Sequence, residues 1–176
     1  MTHLLGFCGS LREAASSRAT LRAIERMLDG RATMTLADTR ALPHYDADLE
    51  TPEAATVLIG QIEAADGLIF VTPEYNYSIP GALKNAIDWA SRPAMNSAFK
   101  GKPCLVATVS AGALGGVRAQ AHLKYVLDGM LADPHRTPEI VIPHAPKKVE
   151  DGVLADEGTL EFIGRALDGF LATLTR

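Results

Sequence analysis

The chain has 176 residues, enough for one compact fold to bury a sizeable core. Seventeen Lys and Arg against twenty-one Asp and Glu leave a net charge of −4, which gives no general attraction for nucleic acid or for an anionic membrane surface. No apolar run reaches the length of a membrane helix, residues 1–10 lack a signal-peptide pattern and no linker or repeat divides the sequence, so a single cytoplasmic domain over 1–176 is expected.

Leu4-Leu5-Gly6-Phe7-Cys8 is the first short apolar run and reads as a buried strand. Gly9-Ser10-Leu11-Arg12-Glu13-Ala14-Ala15-Ser16-Ser17-Arg18 joins it to a helix marked by Leu21, Ile24 and Leu28. Two readings of that loop stand side by side. Unpaired N–H groups and the positive end of the helix dipole, with the Ser10, Ser16 and Ser17 hydroxyls and the Arg12 charge, suit a phosphate. Alternatively, Ser16 or Ser17 caps the helix. Only Gly6 and Gly9 occur here, so neither a Walker loop nor the dinucleotide glycine fingerprint is present and a nucleotide triphosphatase is not expected.

Thr33-Met34-Thr35-Leu36 reads as the second strand, and the long Asp38 to Pro52 segment after it as a surface lid or subunit contact. Val57, Gln61 and Ile62 mark the second helix. The apolar run Gly67-Leu68-Ile69-Phe70-Val71 leads into Pro73-Glu74-Tyr75-Asn76-Tyr77-Ser78-Ile79-Pro80-Gly81, a rigid, aromatic, amide-bearing loop that ends in a Pro/Gly helix start. Ligands of open α/β sheets bind at that end of the strands. Leu83, Ile87 and Ala90 mark the following helix, which also carries Asp88 and Trp89 as structural or interfacial residues. After the strand Leu105 to Val109, the run Ser110 to Gln120 holds Gly112, Gly115 and Gly116, which allow close backbone approach to a flat ligand or simple turn geometry. Ile140-Val141-Ile142 is the last strand, and Leu160, Ile163, Leu167, Phe170 and Leu174 mark the last helix.

Strands alternating with helices imply right-handed crossovers and a doubly wound parallel sheet with helices on both faces. With about five parallel strands the simplest arrangement is the flavodoxin-like order 2-1-3-4-5. Three polar loops then meet at one sheet edge, a pocket with a phosphate end and a planar end. Cys8 and Cys104 read as small buried hydrophobes, with a redox role open for Cys8 because it ends its strand beside the candidate ligand loop; the five histidines have no metal-ligand spacing, so no metal is expected.

Gly9-Ser10-Leu11-Arg12, the run Pro73 to Gly81 with Leu83-Lys84-Asn85-Ala86-Ile87-Asp88-Trp89, and Ser110 to Gln120 together resemble the NAD(P)H-dependent FMN reductase family of flavodoxin-like proteins, which includes quinone, chromate and azo-dye reductases. The resemblance implies FMN as cofactor, NADPH or NADH as co-substrate, and a small-molecule electron acceptor such as a quinone or free flavin. It puts the FMN phosphate on Ser10, Leu11, Arg12 and Ser17, with Ser16 as a replacement donor because Ala15 stands where the family usually has Ser and Ser17 where it has Asn. It lays the flavin against Glu74, Tyr75, Asn76 and Tyr77 on one side and Ser110 and Gly112 on the other, with the N–H groups of the Tyr75 to Tyr77 loop facing charge on the reduced ring. No acid/base pair is expected, because the cofactor carries the chemistry. The resemblance also implies a homodimer or homotetramer, paired through the Gly81 to Ser91 helix with Trp89 and the Asp38 to Pro52 loop. The alternative is a flavodoxin-type electron carrier without nicotinamide activity, normally smaller and more acidic. A receiver domain would need acidic residues where Gly9-Ser10-Leu11 stands.

Overall fold

Alternate residues of the apolar runs point to opposite faces of one parallel sheet, and each face meets its own helices. The structure, a computed structural model, describes residues 1–174. The elements in order are β1 (Thr2–Cys8), α1 (Ser16–Met27), β2 (Ala32–Leu36), α2 (Glu53–Ala64), β3 (Gly67–Pro73), α3 (Gly81–Ala90), β4 (Pro103–Val109) and α4 (Val117–Gly129). They continue through β5 (Asp133–Pro134), β6 (Ile140–Ile142), a 3-10 turn at Ala145–Lys148, β7 (Val149–Glu150), β8 (Val153–Leu154) and α5 (Glu157–Leu174).

The sheet order is β2-β1-β3-β4-β5, all parallel, as the alternation of strand and helix predicts. The fifth position is shared. β5 pairs with Pro103 and Cys104 at the start of β4, and β6 pairs with Ala107 to Val109 at its end, so the expected single strand is two short pieces. β7 and β8 form a small antiparallel hairpin outside the main sheet, which was not expected.

Leu4, Ile69, Val71, Leu105 and Ala107 pack with Leu21 and Ile24 of α1 and with Ile163, Leu167 and Phe170 of α5. Leu5, Phe7, Leu68, Phe70 and Val106 pack on the other face with α2, α3 and α4, and Phe7 stacks on Phe70 with centroids 4.6 Å apart. In α2 the buried stripe is Ala55, Leu58 and Ile62, whereas Val57 is exposed. The expected register of that helix is therefore corrected: spacing of three and four residues from Ala55 meets the sheet, and Val57 falls off that line.

α4 was not foreseen as a helix. Gly116, at φ +88°, is its N-cap, and the stripe Ala119, Leu123 and Leu127 is buried beneath it. The last four residues of the third predicted loop, Val117 to Gln120, are thus its first turn.

The Asp38 to Pro52 segment is anchored to its own chain. Asn85 Nδ2 and Trp89 Nε1 of α3 both donate to the Pro43 carbonyl at 2.8 Å, and Asn85 Oδ1 accepts from the Tyr45 N–H at 2.7 Å. Tyr45 meets the Trp89 ring edge-on at 5.1 Å. Trp89 is only 4% exposed, so of its two expected roles the structural one holds and the interfacial one is corrected: an indole already covered by its own loop has no face left for a partner. Asp88 pairs with Lys84 one turn away at 2.7 Å.

Candidate functional site

β1 and β3 are neighbours, and the chain winds outward from them in opposite directions, which makes their carboxyl ends the switch point of the sheet. The loops leaving those ends, with the one leaving β4, enclose a cleft of about 270 Å³.

One end of the cleft gathers free N–H groups and a cation. α1 begins at Ser16 with Ala15 as N-cap and no side-chain cap, so the helix-capping reading of Ser16 and Ser17 does not hold. The N–H groups of Ser16, Ser17 and Arg18 have no backbone acceptor, and the first turn contains no acid. Among the described residues the Arg12 guanidinium makes no hydrogen bond or ion pair, leaving an unengaged cation beside the positive end of a helix. Glu13, the nearby acid, is drawn off by Arg40, with 3.5 Å between Nη2 and Oε1, and by Arg18 at 3.8 Å. Arg40 also donates to the Leu11 carbonyl, tying the loop to the segment that follows β2.

The other end lies between the Tyr75 loop and the Ser110 loop. Tyr75 and Ser78 exchange both backbone hydrogen bonds, at 2.9 and 3.0 Å, around a two-residue turn in which Asn76 and Tyr77 take φ of +48° and +68°. Positive φ at both central residues is the type I′ geometry. The Tyr75 hydroxyl lies 3.2 Å from Ser10 Oγ, joining the second loop to the first. Across the cleft, Ser110 Oγ accepts the Gly112 N–H at 3.0 Å, and the Ser110 carbonyl accepts from Ala145 at 2.8 Å.

Residues 2–147 match the model of NADPH-dependent FMN reductase. The chain belongs to that family. It is 40% identical over 168 residues to an NAD(P)H-dependent FMN reductase of Pseudomonas aeruginosa, covering 93% of this chain and 90% of that protein. It is also 40% identical over 172 residues to a quinone reductase of Escherichia coli K12, covering 92% and 89%. The solved structure of FerB, a flavoenzyme NAD(P)H:(acceptor) oxidoreductase from Paracoccus denitrificans, superposes with a TM-score of 0.90 at 35% identity and covers 99% of this chain and 98% of that one.

Of the site residues expected for this FMN reductase family member, the cleft brings together Ser10, Arg12, Ser16, Ser17, Glu74, Tyr75 and Ser110. Leu11, Asn76, Tyr77 and Gly112 do not line it; they occupy the adjoining loop positions. Ala15, noted above only as a departure from the family, and Pro73, Val109, Ala111 and Pro146 complete the wall, and none of them was expected as a binding residue. Pro146 had a readable signal, since it lies in a loop just beyond an expected strand at the same sheet edge. The Ser17 hydroxyl is turned to Cys8 Sγ at 3.4 Å, so its N–H is the group left for an anion. The Tyr75 N–H, expected to face the flavin, is engaged inside the turn; those of Asn76 and Tyr77 have no backbone acceptor. Cys8 and Cys104 are free and buried, as expected of small hydrophobes, and burial raises the pKa of Cys104.

The Glu74 side chain does something its position in the motif does not reveal. Oε2 accepts the Arg118 N–H at 3.0 Å and the Ala119 N–H at 3.4 Å, and Oε1 accepts from Arg118 Nη1 at 3.0 Å. It caps α4 from outside the helix. Burial raises its pKa, but the hydrogen bonds from Arg118 and Ala119 and the Arg118 charge outweigh burial and hold it below the ordinary carboxylate value. Between the lowered folded value and the ordinary unfolded one, the unfolded chain binds more protons. The stability Glu74 contributes is therefore complete above the ordinary carboxylate pKa and lost as pH falls through the lowered one. E74Q should flatten that acid limb in urea unfolding measured across pH, and an unchanged limb would remove Glu74 from the account.

Proposed function

We propose that the protein is an FMN-dependent NAD(P)H oxidoreductase, passing hydride from NADPH or NADH through FMN to a quinone, free flavin or another small electron acceptor. The observation that carries this reading is the uncapped start of α1 beside the unengaged Arg12 charge, at one end of a slot walled by the Tyr75 and Ser110 loops. Bound FMN supplies the hydride chemistry. The chain's own task is to hold and orient it: Ser10, Leu11, Arg12, Ser16 and Ser17 at the phosphate, with Glu74, Tyr75, Asn76, Tyr77, Ser110 and Gly112 around the ring. Leu11 serves through its N–H, because its carbonyl accepts from Arg40. The quinone and FMN reductases among its relatives support the acceptor class.

Residues 1–176 act as one FMN-binding domain in this reading, working in the cytoplasm, where NAD(P)H is supplied. No described helix is long and apolar enough to cross a membrane. The working unit is a homodimer or homotetramer that binds no nucleic acid. Exposed Leu49, Tyr77, Met95 and Tyr125 offer apolar surface for such pairing, and Trp89 does not.

Denaturing the purified protein should release FMN in stoichiometric amount. A protein that carries none and takes none up would sink the proposal. Arg12→Ala and Ser10→Ala should each weaken FMN binding by about 1–3 kcal/mol, the size of a hydrogen bond to a charged group, with far smaller effects on the apoprotein. Equal titration curves for wild type and both variants would take the phosphate away from this loop.

A further inference from the structure

Glu74 is the one carboxylate among the described residues lining the cleft, and its side chain is 14% exposed. Both its oxygens are held by α4, through the Arg118 guanidinium and the N–H groups of Arg118 and Ala119. The same guanidinium lies 4.3 Å over the Tyr77 ring. One helical turn further on, His122 Nδ1 is 3.0 Å from Ser78 Oγ. The turn therefore carries two non-glycine residues at positive φ and is fastened to α4 at its third and fourth positions, Tyr77 and Ser78. Backbone in that region is strained and persists only where its surroundings hold it.

The charges matter as much as the shape. A carboxylate beside a flavin ring opposes the negative charge that reduction places on the ring. Paired with Arg118 and set against the positive end of α4, Glu74 no longer contributes a net negative charge there. We propose that Arg118 is a positioning residue for flavin reduction: it holds the Glu74 carboxylate against α4 and fixes Tyr77 at the rim, so that the one acid lining the cleft does not disfavour the reduced ring. This rests on the FMN reading above.

The test is the equilibrium between oxidised and reduced flavin in the FMN-loaded protein against a reference redox dye, which needs no turnover. R118Q should lower the reduced-to-oxidised ratio at fixed dye potential roughly tenfold, the effect of one unit charge across a partly screened site. E74Q should raise the ratio, because it leaves the Arg118 charge unopposed. The R118Q/E74Q double variant should return close to wild type. An unshifted ratio in R118Q, or a shift that E74Q does not reverse, would overturn the proposal and leave Arg118 as a helix-capping partner only. Should R118Q fail to fold, E74Q alone decides, and an unchanged ratio in it is equally fatal. Wild-type protein that takes up no FMN would instead remove the functional reading itself, and this inference with it.

Discussion

Trp89→Ala should destabilise the protein by about 3–5 kcal/mol, the range for removing a large buried aromatic side chain. The indole is 4% exposed, donates Nε1–H to the Pro43 carbonyl at 2.8 Å and receives Tyr45 edge-on. Its loss opens a cavity under the Asp38 to Pro52 segment and leaves Asn85 as the remaining donor to Pro43. Urea unfolding should show the loss, and limited proteolysis should cut within residues 38–52 in the variant first. Because the contacts lie within one chain, the loss should not depend on protein concentration. A destabilisation that grows on dilution would return Trp89 to a subunit interface.

Gly9→Ala is expected to be almost as damaging, at about 3 kcal/mol for overpacking against a strand that cannot retreat. A Cβ at this position would lie 2.0 Å from Thr72 Oγ1, 2.5 Å from Thr72 Cβ and 2.8 Å from Thr72 Cα. Gly9 also donates its N–H to the Val71 carbonyl at 2.9 Å, so the ends of β1 and β3 touch at the point where both functional loops depart. Thr72→Ala removes the hydroxyl but not the Cβ or Cα, and so should not rescue the variant. Because the loop proposed to hold the FMN phosphate starts at Gly9, FMN uptake should fall with stability. Wild-type unfolding and flavin titration in Gly9→Ala would show that the strand ends have room to part.

The elements most legible in the sequence were those whose signal is local. Leu4 to Cys8, Leu68 to Val71 and Leu105 to Val109 are apolar or β-branched throughout apart from Gly6, because each is buried on both faces, and they appear as β1, β3 and β4. α4 was hidden by the glycines that precede it: Gly112, Gly115 and Gly116 read as loop, although Ala119, Leu123 and Leu127 carry a helical stripe. The split fifth position was invisible because β5 is two residues long and ends in proline. In the site, Ser10, Arg12, Ser16 and Ser17 could be placed together at a helix start because they are near neighbours in the chain, but whether a serine caps that helix stayed open until the backbone showed that none does. The Glu74–Arg118 pair spans 44 positions and the Trp89–Pro43 bond 46, and nothing in the local pattern of either partner points to the other. Hence no local signal shows that Glu74, expected at the flavin, is also held by α4, or that Trp89, expected to be structural or interfacial, is held by a loop of its own chain.

The divided fifth position also bears on how the molecule behaves in a crowd. A sheet edge presents a row of unpaired backbone groups that another chain can extend by adding a strand. Here the outermost pieces are only Asp133–Pro134 and Ile140–Ile142, and Pro134 has no N–H to donate. A neighbouring molecule meets two short stubs with an irregular connection between them and finds no ladder long enough to continue. The interruption at β5 and β6 thus guards this edge against sheet-to-sheet aggregation, while the neighbouring strand β4 keeps its full length on the side that carries the Ser110 loop.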